Sequence, residues 1–247
     1  MVHVAILAAG KGTRMKSDLP KVLHPVKGVP MIKRLLKSVT QIDPKPTLIV
    51  GYKAEDVIAA TDNAYHYVDQ KEPLGTGHAI QVACEVLKDK PITTLVVLMG
   101  DQPLVSAETI TNLIANHEKH DAAVTLGTVK IEEGDPRLMI FNNFGRIIRN
   151  AEGKVDSIVE YKDATEEQRA VKEFNISYYC FDFKWLCENI GKLTNHNVSG
   201  EYYLTDMVHI AIEQGRHVDS YAVTNVVESL GINSPEQLHM VEEAIDE

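Results

Sequence analysis

Residues 93–101, TTLVVLMGD, constrain the fold more than any other stretch of this chain. An apolar run with no polar alternation is how a strand covered on both faces reads, and such strands belong to parallel sheets packed between helices. The first half of the chain repeats the theme. Val2–Leu7, TLIVG at 47–51, AYHYV at 64–68 and AAVTLGTV at 122–129 read as further strands. Between them lie segments with helical spacing: PMIKRLLKSV from Pro30, KAEDVIAA, GTGHAIQVACEVL, and SAETITNLIANHEKH with Ser106 as its N-cap. The alternation predicts an α/β layered fold, a mostly parallel sheet with right-handed crossovers, and a ligand site beyond the carboxyl ends of the strands. Three segments fall there: AAGKGTR, VGYK and MGDQPL.

Beyond about residue 130 the texture changes. Hairpin-like pieces and polar turns take over, with Asn150–Lys154 as a reversal signal. EFNISYYCFDF reads as a strand and FKWLCENI as a short helix. EYYLTDMVHIAIEQG reads as a helix ending at Gly215 with Glu201 in its first turn. HVDSYAVT is a strand, and SPEQLHMVEEAI a terminal helix with Ser234 as cap and Pro235 at its first position.

AAGKGTR has the glycines and cations of a phosphate loop. Gly10 and Gly12 let backbone N–H groups approach anionic oxygens, while Lys11, Arg14 and Lys21 add charge and Thr13 a hydroxyl. A solvated glycine turn is the bland alternative. The segment is not a Walker A loop, which needs four residues before Gly-Lys-Ser/Thr, and Met15 stands where a dinucleotide fingerprint needs its third glycine. Pro20 holds Lys21 out of regular helix, from where it reaches back towards the loop. Asp101, just past the buried strand, is placed to bind Mg²⁺ against phosphate oxygens or to cap the following turn. In GINSPEQL, the amide of Asn233 can supply a second metal oxygen or cap the helix behind it.

The net charge of −10 argues against a nucleic-acid surface. No apolar window reaches membrane-spanning length, and no leader-like segment opens the chain. Cys84, Cys180 and Cys187 show no pairing pattern and fit a reducing compartment, so a cytoplasmic location is expected.

LAAGKGTRM, LPKVLHPVKGVPM, EPLGTGHAIQVA, GDQPL, IVEYKDAT, EFN and GEYYLTD occur in that order. Together they resemble the uridylyltransferase part of bacterial bifunctional N-acetylglucosamine-1-phosphate uridylyltransferases/glucosamine-1-phosphate acetyltransferases, over almost the whole chain. The resemblance implies a Rossmann-like, GT-A-like nucleotide-diphospho-sugar transferase fold: a mixed, mostly parallel central sheet with helices on both faces and a smaller sugar-binding lobe. One nucleotidyltransferase domain over 1–247 is expected, with a nucleotide-binding part to about 130, a sugar-binding part over about 131–230, and a returning metal-ligand loop and terminal helix over 231–247. The implied reaction is Mg²⁺-dependent uridylyl transfer from UTP to N-acetyl-α-D-glucosamine 1-phosphate, giving pyrophosphate and UDP-N-acetylglucosamine, a peptidoglycan precursor.

The resemblance also implies residue roles. Leu7, Ala8, Ala9 and Gly10 form the wall under the nucleotide, and Arg14 and Lys21 are the phosphate cations. Gln70, Gly75 and Thr76 recognise uracil, Gln70 by offering the base edge one donor and one acceptor. Asp101 and Asn233 are the Mg²⁺ ligands. Gly145, Glu160 and Asn175 contact the amino sugar. The chain departs from the family pattern on the sugar side: MIFNNFGR replaces a stretch ending GYGR, Met99 a tyrosine, and Asn175-Ile176-Ser177 an asparagine followed by a small residue and glycine. These changes are expected to reshape the acetamido pocket. Another sugar 1-phosphate or nucleotide, and a non-catalytic nucleotide-sugar-binding role, are the alternatives. The hexapeptide-repeat acetyltransferase half of the family has no counterpart in this sequence, so acetyl transfer is not expected of it. Oligomeric state is left open.

Overall fold

The computed structural model describes residues 1–246. Its strands are β1 (Val2–Ala8), β2 (Pro25–Val26), β3 (Val29–Pro30), β4 (Thr47–Val50), β5 (His66–Asp69), β6 (Thr94–Met99), β7 (Val124–Lys130), β8 (Arg146–Arg149), β9 (Val155–Val159), β10 (Glu173–Asp182) and β11 (Val218–Ala222). Its α-helices are α1 (Met31–Val39), α2 (Ala54–Ala60), α3 (Thr76–Leu87), α4 (Ala107–His120), α5 (Leu138–Phe141), α6 (Glu166–Ala170), α7 (Phe183–Asn189), α8 (Asp206–Glu213) and α9 (Pro235–Asp246).

The main sheet runs β11-β7-β10-β6-β1-β4-β5, with the β8–β9 hairpin joined to β10. β1 pairs parallel with β4 and β6, β4 with β5, and β7 with β11. β10 alone on this path is antiparallel to both its neighbours, β6 and β7. The sheet is therefore mixed and mostly parallel. TLVVLM earns its central place by alternation of faces: Val96 and Leu98 pack with α1 and α4, while Leu95 and Val97 pack with α3, α7 and α8. Helices thus cover both faces, which is why the central strands read as unbroken apolar runs.

Several local expectations hold. The Ser106 hydroxyl accepts from Thr109 N at 3.0 Å at the start of α4, and the Ser234 hydroxyl accepts from Gln237 N at 3.3 Å. Asn150 closes the β8–β9 turn by accepting from Glu152 N and Lys154 N. The helix expected from Glu201 starts only at Asp206, so Glu201 is not in its first turn. The reason is competing backbone pairing. Tyr202 N donates to Leu74 O and Gly77 N donates to Tyr202 O, each at 2.8 Å, and the Thr76 hydroxyl accepts from Leu204 N at 3.1 Å. These bonds keep 202–204 out of the helix and against the residues that open α3.

Candidate functional site

The carboxyl ends of β1, β5 and β6 border two adjoining recesses. A smaller one of about 270 Å³ is bounded by Leu7, Ala9, Gly10, Lys21, Gln70, Gly75 and Thr76. A larger cleft of about 720 Å³ holds Arg14, Gly145, Glu160, Asn175, Ser177 and Asn233. Met99, Asp101 and Glu201 line both, so Asp101 stands on the wall between them. Of the residues expected at a site, Ala8, Lys11 and Gly12 lie outside both recesses; the Ala8 side chain is buried in the core, and the Lys11 ammonium stands over the Tyr52 ring, 5.3 Å from its centroid.

Lys21 is the hub of that wall. Its ammonium donates both to Asp101 Oδ2 and to Asn233 Oδ1, the latter at 2.5 Å, and Arg14 Nη2 donates to the same Asn233 oxygen at 2.8 Å. Three segments more than 75 residues apart in pairs are brought together here, since Lys21 and Asp101 are separated by 80 positions and Lys21 and Asn233 by 212. Each approach has a local cause. Gly12 adopts φ +67°, and a Cβ there would lie 2.7 Å from Lys21 Cβ, so only glycine lets the loop fold over the lysine. Ile232 N donates to Asp101 O at 3.0 Å, which anchors the Asn233 loop beside the carboxylate. Asn233 N in turn donates to Gln237 Oε1 at 2.7 Å.

The donor set fits a divalent cation. Two oxygens, one carboxylate and one amide, converge on a single positive group, and hard cations such as Mg²⁺ take such ligands while keeping water and phosphate oxygens for their remaining positions.

In the smaller recess, Gln70 is buried and its Nε2 donates to Gly75 O at 3.0 Å and approaches His78 Nδ1 at 3.1 Å. A carbonyl can only accept, so this contact fixes which way the amide faces. Both N–H groups are then engaged and only Oε1 remains to meet a ligand, not the donor–acceptor pair expected from sequence. Gly75 has φ +114°, and a Cβ there would sit 2.6 Å from Tyr202 O. Thr76 lines the recess, but its hydroxyl is held by Leu204 N.

The larger cleft is built by the antiparallel part of the sheet. Between Asn175 and Tyr179 the β10–β7 register shifts: those residues pair with Thr128 and Leu126, leaving three residues of β10 opposite one of β7. Asn175 N donates to Gly145 O at 2.9 Å, joining β10 to the hairpin. The Asn175 side chain donates to the Tyr179 hydroxyl at 2.7 Å and accepts from Ser177 N at 3.1 Å. Ile176 is fully buried in the core, so it does not reshape the cleft as expected. Ser177 does line it, and holds φ +60°. A non-glycine residue there costs roughly 1–2 kcal/mol. Glu160 lies beside Gly145, where a Cβ would come within 3.4 Å of its Oε1. Burial pushes the Glu160 carboxyl up to about 7, with Asp206 and Asp163 adding to the rise and the Thr205 hydroxyl and Arg146 opposing it.

MIFNNFGR folds as α5 and the turn into β8. Arg146 is buried and donates to the carbonyls of Asn142 (2.9 Å) and Phe144 (2.5 Å), with Phe174 and Tyr161 flanking its guanidinium at 4.8 and 5.1 Å. It supports the cleft floor and frees Phe144 and Asn143 to line it.

Two features escaped the sequence reading. Glu201 faces both recesses, and GEYYLTD offered the signal without its geometry. Gln102, next to Asp101, is buried and its Nε2 donates to Ile176 O (2.8 Å) and Ser229 O (3.4 Å), tying the β10 irregularity to the segment that leads to Asn233. Nothing in GDQPL alone announces that cross-link.

Comparison with known proteins agrees with this architecture. Residues 4–163 match the family model of the MobA-like NTP transferase domain. Bifunctional protein GlmU of Bacillus mycoides (strain KBAB4) is 44% identical over 238 residues, which are 96% of this chain and 50% of that protein. The chain thus spans about half the length of the curated relatives it matches. Among solved structures, UDP-glucose pyrophosphorylase complexed with UDP-glucose superposes with TM-score 0.72 at 16% identity, covering 100% of this chain and 99% of that one. HddC from Yersinia pseudotuberculosis gives 0.71 at 20% identity, covering 99% and 100%. These two likenesses show the fold alone, that of the nucleotide-diphospho-sugar transferases.

Proposed function

The chain belongs to the MobA-like NTP transferase family, and on that premise we propose that it transfers the uridylyl group of UTP to N-acetyl-α-D-glucosamine 1-phosphate, releasing pyrophosphate and forming UDP-N-acetylglucosamine. The observation that carries this reading is the convergence of Lys21, Asp101 and Asn233 on the wall between the two recesses. A group bound on one side would present its α-phosphate there to an anion bound on the other.

In this reading the uracil lies in the smaller recess, where Gln70 Oε1 accepts from the imide N–H. Gly10 and its neighbours leave backbone N–H groups open to the triphosphate. Glu160 and Asn175 receive the sugar, with Gly145 leaving room for it. A sugar-phosphate oxygen attacks the α-phosphorus in line, and the bond to the bridging oxygen of the β-phosphate breaks on the opposite side. That nucleophile is already anionic, so no general base is required. Arg14 and Lys21 neutralise charge on the triphosphate and the departing pyrophosphate, and alignment with charge neutralisation supplies the acceleration. Asp101 and Asn233 would hold Mg²⁺, whose charge offsets repulsion between the two anionic substrates.

Met99 and Ser177, both on the larger cleft, favour one second reading: the same chemistry with another hexose 1-phosphate. The described residues contain no helix long and apolar enough to cross a membrane; in this reading the enzyme supplies nucleotide sugar in the cytoplasm. A panel of nucleoside triphosphates and sugar 1-phosphates, followed by pyrophosphate release with Mg²⁺, tests the assignment. Turnover should be highest with UTP and N-acetylglucosamine 1-phosphate. No turnover with any pair refutes the enzyme reading, and turnover confined to another sugar refutes the acceptor.

A further inference from the structure

We propose that the chain carries a second cation site, for a divalent transition metal, formed by His120, His217 and Asp219 at the amino ends of β7 and β11. These ends lie across the sheet from the recesses described above. One ligand atom from each of the three residues lies within 4.8 Å of the other two. His120 is the last residue of α4, and His217 and Asp219 flank the first residue of β11.

The placement is rigid on each side. β11 pairs in register with β7, Val218 opposite Val124, and Ala123 N donates to His217 O at 2.9 Å. Asn116 and His120, one turn apart on α4, both address Asp219. Asn116 Nδ2 donates to Asp219 Oδ2 at 2.9 Å, and His120 Nδ1 pairs with the same oxygen. Asp219 Oδ1 accepts from Ser220 N at 2.7 Å. Sites carried by helices and strands hold their ligands more firmly than sites on loops. The His217 ring stands edge-on to His120, with centroids 6.2 Å apart, and makes no hydrogen bond among the described residues. It is a third donor held next to an existing pair with nothing else to do there.

The local field favours a cation. The carboxyl end of a helix carries partial negative charge. Asp121 caps α4, and Asp182 lies near the same turn, partly offset by Arg216 at 3.4 Å. Two imidazole nitrogens and one carboxylate are the ligands of zinc, cobalt, nickel or copper, not of magnesium, which keeps to oxygen. Water would complete the shell. The ion takes the place of the His120–Asp219 hydrogen bond, since a ligating imidazole nitrogen carries no proton. Bound there, it clamps the end of α4 to the edge strand β11.

The test is titration of the full chain with Co²⁺, read by its visible absorption, and with Zn²⁺, read by thermal melting. Excess Mg²⁺ keeps the oxygen-ligand site filled. One equivalent of Co²⁺ should bind, and Zn²⁺ should raise the melting temperature. His217→Ala and His120→Ala should each weaken binding at least about tenfold and abolish the Zn²⁺-dependent rise. His239→Ala, which removes an exposed histidine paired with Glu243, should change neither. His120→Ala also removes the pair with Asp219, but His217→Ala loses no hydrogen bond, so the result for His217 stands on its own. Binding by the wild type that survives His217→Ala, or no binding by the wild type, overturns the proposal.

Discussion

The two recesses at the carboxyl ends of the strands are built in different ways. The smaller one is made at the ends of parallel strands, and several of its lining residues, Ala9, Gly10, Gly75 and Ala79, carry at most a methyl group: Leu7 lies inside β1, Ala9 and Gly10 follow it directly, and Gln70 follows β5. The larger one depends on side chains from a hairpin, from the register shift in β10 and from the segment before α8. A wall with so few side-chain atoms offers little to vary, whereas a side-chain-lined wall changes ligand with each substitution. Most departures from the family pattern follow this division, for Asn143, Phe144 and Ser177 line the larger cleft alone, while Met99 lines both.

The comparison breaks first at Asp101, which belongs to both sides. Asp101→Asn should lower turnover by roughly 10²–10³-fold, with the fold intact by circular dichroism; near-wild-type pyrophosphate release at limiting Mg²⁺ would remove Asp101 from the proposed metal site. Glu160→Gln should act on one side alone. It should reduce kcat/KM for the sugar phosphate by roughly ten- to hundredfold and leave KM for UTP unchanged. Because the Glu160 carboxyl sits near 7, the wild type should lose affinity for the sugar phosphate as pH falls through 7, and the variant should show less of that dependence. The stability sign is opposite. With the folded value raised above the ordinary 4.5, the folded state binds more protons between about 4.5 and 7, so stability should fall as pH rises across that window, by on the order of 3 kcal/mol in all. Denaturant melts of Glu160→Gln should lack that slope.

Gln70→Ala tests the other wall. It leaves Gly75 O without its donor and removes the acceptor offered to the base, so KM for UTP should rise about tenfold while discrimination against CTP weakens. An effect on the sugar phosphate alone would reverse the assignment of the two recesses. The smallest effect is expected of Ser177→Gly. Relief of the positive φ should stabilise the fold by about 1 kcal/mol, seen as a higher melting temperature. KM for the sugar phosphate should shift by a few fold and KM for UTP not at all.

What could be read beforehand follows the same line. Strand and helix periodicity carried the parallel half because Val96/Leu98 and Leu95/Val97 face opposite cores of similar composition. The contiguous motifs put the Gly10 loop and Asp101 just past the carboxyl ends of β1 and β6, as expected. The sequence did not reveal that Ile176 turns inward, since that depends on a register shift against β7. Nor did it reveal that 202–204 stays outside the helix: the stretch has helical spacing, and its competitor for backbone bonds is a segment more than 120 residues away. The engaged amide of Gln70 was equally hidden, because its partner Gly75 O is presented by that same packing.

The backbone clasp between the Gly75–Gly77 loop and Tyr202 has a consequence for recombining this protein with its relatives. Gly75 and Thr76 line the smaller recess, while the strip they grip places Tyr203 in the larger one and Glu201 in both. Any crossover point between residues 78 and 201 would join one parent's loop to another parent's strip and leave the junction to chance. Chimeras that exchange 74–77 and 199–205 together should express as folded protein far more often than those that exchange either alone, so the two stretches are inherited as one heritable block despite their distance along the gene.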